Sequence, residues 1–161
     1  VYVLYRAATA NVDRDMMLLT SRDQGASFQG TRLHRWKLNA CPMSSESFAE
    51  SPAGVLAAWE TRGQVYYATV DPHTLTAGRI IGAPGAAEDR KHPAVAGSAR
   101  GETLLVWTEG TGWQKGGSLA WQLFDRSGQP MAEHGRLAGV VPVWGLATAV
   151  ARPGGGFTII Y

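Results

Sequence analysis

Cysteine is almost absent from this chain. Cys41 is the only one among 161 residues, so no disulfide can form within the chain and no thiolate cluster can hold a metal. No apolar run approaches the ~18 residues that a membrane-spanning helix needs. Charge is sparse as well, at 17% of residues and a net +2, with Lys and Arg scattered singly. Without a basic stripe the chain lacks the electrostatic footprint of a nucleic-acid binder. The four histidines, at 34, 73, 92 and 134, stand too far apart to share a ligand spacing, so neither a metal nor a cofactor is expected. Neither a Gly-x-Ser-x-Gly elbow nor a His-Glu-x-x-His pair occurs. Val1–Arg6 has no basic start and no small-residue cleavage site, so an export signal is not found in this stretch. No segment offers a capped helix with a 3.6-residue period.

Turn formers and aromatics are plentiful, with 20 glycines, eight prolines and six tryptophans. Four apolar segments end in an aromatic: Val1–Arg6, Val55–Glu60, Thr103–Glu109 and Phe157–Tyr161. Their aromatics, Tyr5, Trp59, Trp107 and Tyr161, are spaced by 54, 48 and 54 residues. A four-stranded propeller blade repeats about every 40–50 residues. A second apolar run follows each of the first three segments after a short turn, at Met16–Thr20, Val65–Thr69 and Ser118–Phe124. Their length, Gly and Asp borders and β-branched content predict strands. Innermost strands are predicted at Cys41–Ser45, His92–Ala96 and Trp144–Ala151, the first two with proline near the strand start. Gly110–Gly116 and Gly154–Gly156 read as hairpin loops, since neither opens a helix that could cradle phosphate.

The expected fold is therefore all-β: a partial propeller of four-stranded antiparallel blades, about three in number. The units are 1–38, 40–88, 91–140 and an incomplete 143–161 within a single domain. The chain enters at the second strand of one blade and leaves at the second strand of another. Closing a ring then calls for further blades or a neighbouring chain, because open strand edges invite pairing.

One turn carries a resemblance. Ser21-Arg22-Asp23-Gln24-Gly25-Ala26-Ser27-Phe28 is similar to the Asp box, Ser-x-Asp-x-Gly-x-Thr-Trp/Phe, of sialidase-like BNR-repeat propellers, with Ser27 in place of Thr. Asp23 can tie the backbone of the turn, Gly25 can take a positive φ, and Phe28 can pack back between the strands. Asp71–Gly78 and Asp125–Gly128 are weaker versions. The resemblance implies a six-bladed ring, a location outside the cytoplasm, and a structural role for Ser21, Asp23, Gly25, Ser27 and Phe28 on the face opposite any active site.

A site would then be built at the other end, from the starts of innermost strands and the ends of second strands. Candidate ligand-binding residues there are Arg6, Asn39, Glu60, Arg62, His92, Glu109 and Trp144. Arginine binds carboxylates bidentately and aromatics stack on sugar faces, so such a ring would suit a carboxylated or hydroxylated sugar, and the expected partner is a glycan or a protein. Sialidases need an arginine triad, a Tyr nucleophile with its Glu, and an acid/base Asp, and their Phe-Arg-Ile-Pro segment is missing here. The leading expectation is a non-catalytic binding or interaction scaffold. The alternative is a part of a sialidase-like exo-glycosidase that acts on a carboxylated sugar.

Overall fold

The computed structural model describes residues 1–161 and is all-β. Thirteen strands form four antiparallel sheets in chain order. The first holds β1 (Tyr2–Arg6), β2 (Met16–Thr20) and β3 (Gln29–His34). The second holds β4 (Ser47–Ser51), β5 (Gly54–Thr61), β6 (Gln64–Val70) and β7 (Ile81–Gly82). The third holds β8 (Arg90–Gly97), β9 (Thr103–Glu109), β10 (Gly117–Phe124) and β11 (Pro130–Val141). The fourth holds β12 (Thr148–Ala151) and β13 (Phe157–Ile160). Within each sheet every strand pairs with the next in sequence, so each sheet of three or four strands is a meander. Successive sheets stack face to face, with β4 beside β8 and β8 beside β12. First strands lie innermost and later strands splay outward, which is the arrangement of propeller blades.

Side-chain alternation explains why β5 and β9 read as unbroken apolar runs. Each lies in a sheet covered on both faces, so both sets of residues are buried. Leu56 and Ala58 of β5 meet Leu105 and Trp107 of β9 in one core, together with Tyr67 and Phe124. The alternate residues Ala57 and Trp59 turn to the first sheet, against Met16 and Leu18. Leu104 and Val106 turn to the fourth sheet and Ala149. Trp59 and Trp107 thus both face the preceding sheet. The Trp59 indole N–H is satisfied by His34 Nδ1 at 2.9 Å, and that of Trp107 by Glu109 Oε1 at 3.0 Å. The outward faces of the first and fourth sheets expose Val1, Val3 and Tyr5, and Val150 and Ile160.

Glycine has a packing role at one cross-strand pair. Trp121 of β10 lies opposite Gly135 of β11, and a Cβ at Gly135 would overlap the Trp121 ring. The aromatic covers the gap that the missing side chain leaves.

Three turns, β2–β3, β6–β7 and β10–β11, are fastened by an aspartate. Asp23 accepts from the Ser27 N–H at 2.9 Å, the Ser27 hydroxyl at 2.6 Å and the Ser21 hydroxyl at 2.7 Å. Gly25 completes the turn with φ 96° and donates its N–H to Ser21 Oγ at 2.8 Å. Asp71 Oδ1 accepts from the N–H groups of His73 and Thr74 at 2.7 and 2.8 Å. Asp125 Oδ1 accepts from the N–H groups of Ser127 and Gln129 at 2.8 and 2.9 Å. These bonds favour the ionised form and hold all three carboxyls below the usual range, through Ser27 first at Asp23, Thr74 at Asp71 and Ser127 at Asp125. Phe28 departs from expectation: it is 43% exposed, and its ring lies against Gly25 rather than between strands.

Two predicted strands are displaced. Cys41–Ser45 is irregular, because Pro42 offers no N–H and Met43 turns left-handed at φ 49°; the innermost strand starts at Ser47. The strand expected from Trp144 begins only at Thr148, after a turn closed by the Gly145 N–H to the Pro142 carbonyl at 2.9 Å. Pro93 sits inside β8, in the bulge between Lys91 and Ala94 where ladder pairing lapses.

Trp59→Ala empties the seam between the first two sheets and is expected to cost about 3–5 kcal/mol. Chemical denaturation measures it, and a loss below about 1 kcal/mol would contradict the packing described.

Candidate functional site

At one end of the stacked sheets lie the loops that precede innermost strands and those that join second to third strands. Antiparallel order puts both sets at the same end. Three residues just ahead of the regularly paired part of an innermost strand turn left-handed: Met43 at φ 49°, His92 at 50° and Trp144 at 64°. Non-glycine residues adopt this region at a cost, and such strain concentrates at functional positions. All three line one cleft of about 420 Å³, closed on its far side by Trp113 and Lys115 of the β9–β10 loop.

The two indoles dominate the cleft. Trp113 sits at the tip of a tight turn in which Gly112 and Lys115 exchange backbone hydrogen bonds at 3.0 and 3.1 Å. Its ring meets that of Trp144 edge to face, with centroids 4.6 Å apart and planes at 86°. Trp113 is 69% and Trp144 58% exposed. Two large aromatics held against each other in water form the kind of apolar patch that marks a binding surface.

His92 ties the cleft floor together. Its Nδ1 accepts from the Ser45 N–H at 3.3 Å, and its backbone N–H donates to Ser44 Oγ at 3.2 Å. Burial, then the charge of Lys91, hold the imidazole below its ordinary pKa and favour its neutral form. With Nδ1 accepting, the ring N–H resides on Nε2. Lys91 and Lys115 add two ammonium groups to the walls, and no carboxylate lines the cleft.

Of the residues the sequence singled out, His92 and Trp144 meet here. Arg6 and Glu60 do not, for they lie in the seam between the first two sheets. Arg6 donates to the carbonyls of Arg14, at 3.0 Å, and Glu60, and its guanidinium lies over Trp36. Glu60 is fully buried, with Oε1 accepting from the Gly63 N–H at 2.7 Å and Oε2 3.7 Å from Arg6. Burial pushes the Glu60 carboxyl up, against the pull of the Gly63 N–H and Arg6. Neither side chain is open to a ligand. Arg62 occupies the exposed two-residue turn between β5 and β6, with φ 58°. Asn39 is exposed ahead of β4.

Glu109 belongs to a second, polar cavity of about 510 Å³. There it accepts from Arg136 at 2.7 Å and lies 3.6 Å from Arg90. Burial would raise Glu109, but Arg136, the Trp107 N–H and the nearby guanidinium charges outweigh it and hold it below the usual range. Arg90 is itself occupied, donating to Gln64 Oε1 and the Ala83 and Pro84 carbonyls at 3.1, 3.2 and 2.9 Å. Lys115 borders both cavities. Sequence reasoning passed over Trp113 and Lys115, which lie in a glycine-rich stretch read only as a hairpin loop. A tryptophan at the tip of a two-residue turn has no sheet to bury it, and that was the available signal.

No protein-family model matches this chain, and neither does any curated protein. Among solved structures it resembles the α-L-arabinanase of Penicillium chrysogenum, solved in complex with arabinobiose, with a TM-score of 0.57 at 14% identity. The match covers 99% of this chain and 57% of that one, so the chain spans little more than half of that enzyme's length. At this identity the likeness is one of fold: a partial propeller of antiparallel blades.

Glu60 yields a pH test. Its carboxyl is raised in the folded state, so between the unfolded value near 4.3 and the folded one the native chain binds more protons. Stability therefore falls as pH rises through that window. Glu60→Gln keeps the bond to Gly63 and cannot ionise. Thermal melts from pH 4.5 to 7.5 are expected to show a shallower decline in this variant than in the parent; equal slopes would contradict the buried-charge account.

Proposed function

We propose that this chain is part of a propeller that binds a carbohydrate through the Trp113–Trp144 cleft, and that it is not itself a hydrolase. The exposed, mutually braced indole pair carries the reading. Flat apolar walls with a few convergent polar groups, here the His92 N–H and the hydroxyls of Ser44, Ser45 and Thr111, suit the mixed apolar and hydroxylated faces of a sugar ring. Glycoside hydrolysis generally takes two carboxyl groups that flank the scissile bond, about 5–9.5 Å apart. The cleft walls supply none. The sialidase-like variant of the reading is weaker, since Arg6 and Arg90 turn their terminal guanidinium N–H groups to backbone carbonyls and Gln64.

One observation favours a glycosidase as the second reading. Glu46, just ahead of β4, has its carboxyl raised by burial against the pull of Arg6 4.0 Å away, while its side chain stays 23% exposed. A reachable carboxyl whose pKa is raised by burial is the kind of group that a general acid uses. The fold likeness to an arabinanase makes arabino-oligosaccharides the natural probe.

Trp113→Ala and Trp144→Ala are each expected to weaken binding of an arabino- or galacturono-oligosaccharide by tenfold or more, as central aromatic anchors do. Their stability should change by less than about 0.5 kcal/mol, since both rings face water. Calorimetric titration decides, and affinity unchanged by either substitution would reject the cleft. For the second reading, release of reducing sugar from arabinohexaose that is abolished by Glu46→Gln would replace binding with catalysis. No turnover by the parent chain supports the binding reading.

A further inference from the structure

We infer that the ligand of this cleft is an anionic oligosaccharide, its acid group held by Lys91 and Lys115 while a sugar ring lies against the Trp113–Trp144 pair. This rests on the carbohydrate reading above and adds the charge and the length of the ligand. The cleft walls carry two ammonium groups and a neutral imidazole, with no Asp or Glu among them. Neither lysine forms an ion pair: the five in the chain use Arg6, Arg32, Arg90 and Arg136. Glu60 feels the Lys91 charge from inside the seam, but its nearest cation is Arg6. Two unneutralised cations beside an apolar wall attract an anion and leave a neutral sugar no special advantage.

The second cavity sets the length. It meets the cleft at Lys115, and beyond that lysine Glu88, Asp89 and Glu109 stand against Arg90 and Arg136, so the acid group belongs at the cleft end. A ligand that starts on the indoles can pass over Lys115 into this polar trough, where hydroxyls find both donors and acceptors. The two volumes, about 420 and 510 Å³, call for a chain of sugars rather than a single ring. The shared chemistry is an acid group on a sugar, carboxylate or sulfate, since an ammonium binds either as a point charge.

The test titrates the chain with three hexasaccharides: an oligogalacturonide, a sulfated oligosaccharide and neutral arabinohexaose. At low salt at least one charged probe is expected to bind tenfold or more tighter than the neutral one, with the advantage shrinking in 0.5 M NaCl. Which of the two wins identifies the acid group. Lys91→Ala and Lys115→Ala should each weaken that probe by about fivefold, the upper range for exposed ion pairs, and weaken it more than they weaken the neutral probe. Lysine-to-arginine variants should restore the charged probe. Neutral binding that equals charged binding and depends on Trp113 and Trp144 would overturn the charge inference and leave the carbohydrate reading standing. No binding of any of the three would overturn both.

Discussion

Everything in this molecule depends on sheets that bury both faces. A single four-stranded meander has one apolar side too many for water, and stacking it between two others removes both sides at once. Trp59 sealed against Met16 and Leu18, and Trp107 against Leu56 and Ala58, are the heaviest parts of those seams. Stacking in turn gathers the innermost strands β4, β8 and β12, so the loops ahead of them converge. The cleft is a product of that convergence, with walls from three successive sheets. No single blade could form it.

The same physics decided what could be read from the chain. β5 and β9 announce themselves because both faces are apolar, and the spacing of Trp59 and Trp107 gives the repeat. β4 is harder, since Phe48 and Glu50 stay exposed at the edge of the seam with the first sheet and the residues between them are small. Pro42 drew the expected strand to 41–45, but Met43 breaks it with a left-handed turn. Asp23, Asp71 and Asp125 were legible as turn fasteners, because an aspartate that bonds the N–H groups of residues two to four positions on needs only local sequence. The place of Phe28 was not legible, since it depends on what stands beside the first sheet.

The candidate site divides along similar lines. His92 and Trp144 stand at innermost-strand starts, and strand order alone puts them at the right end. Arg6, Glu60 and Glu109 stand at second-strand ends and shared the same argument. Whether a charge there points to the axis or into the seam between sheets is a matter of side-chain direction, which no pattern encodes. Arg6 and Glu60 turn inward and meet; the pair is a structural tie whose carboxyl is raised by burial. Trp113 escaped notice for the opposite reason, because an exposed aromatic in a loop matches no periodicity.

On the carbohydrate-binding proposal, Trp113 and Trp144 form the sugar contact. Side-chain N–H resonances of the six tryptophans, followed by NMR during titration with a hexasaccharide, test it most directly. The account predicts saturable shifts for Trp113 and Trp144, with Trp59 and Trp107 unmoved inside their seams. Shifts confined to other tryptophans, or none at ligand concentrations in the millimolar range, would contradict it.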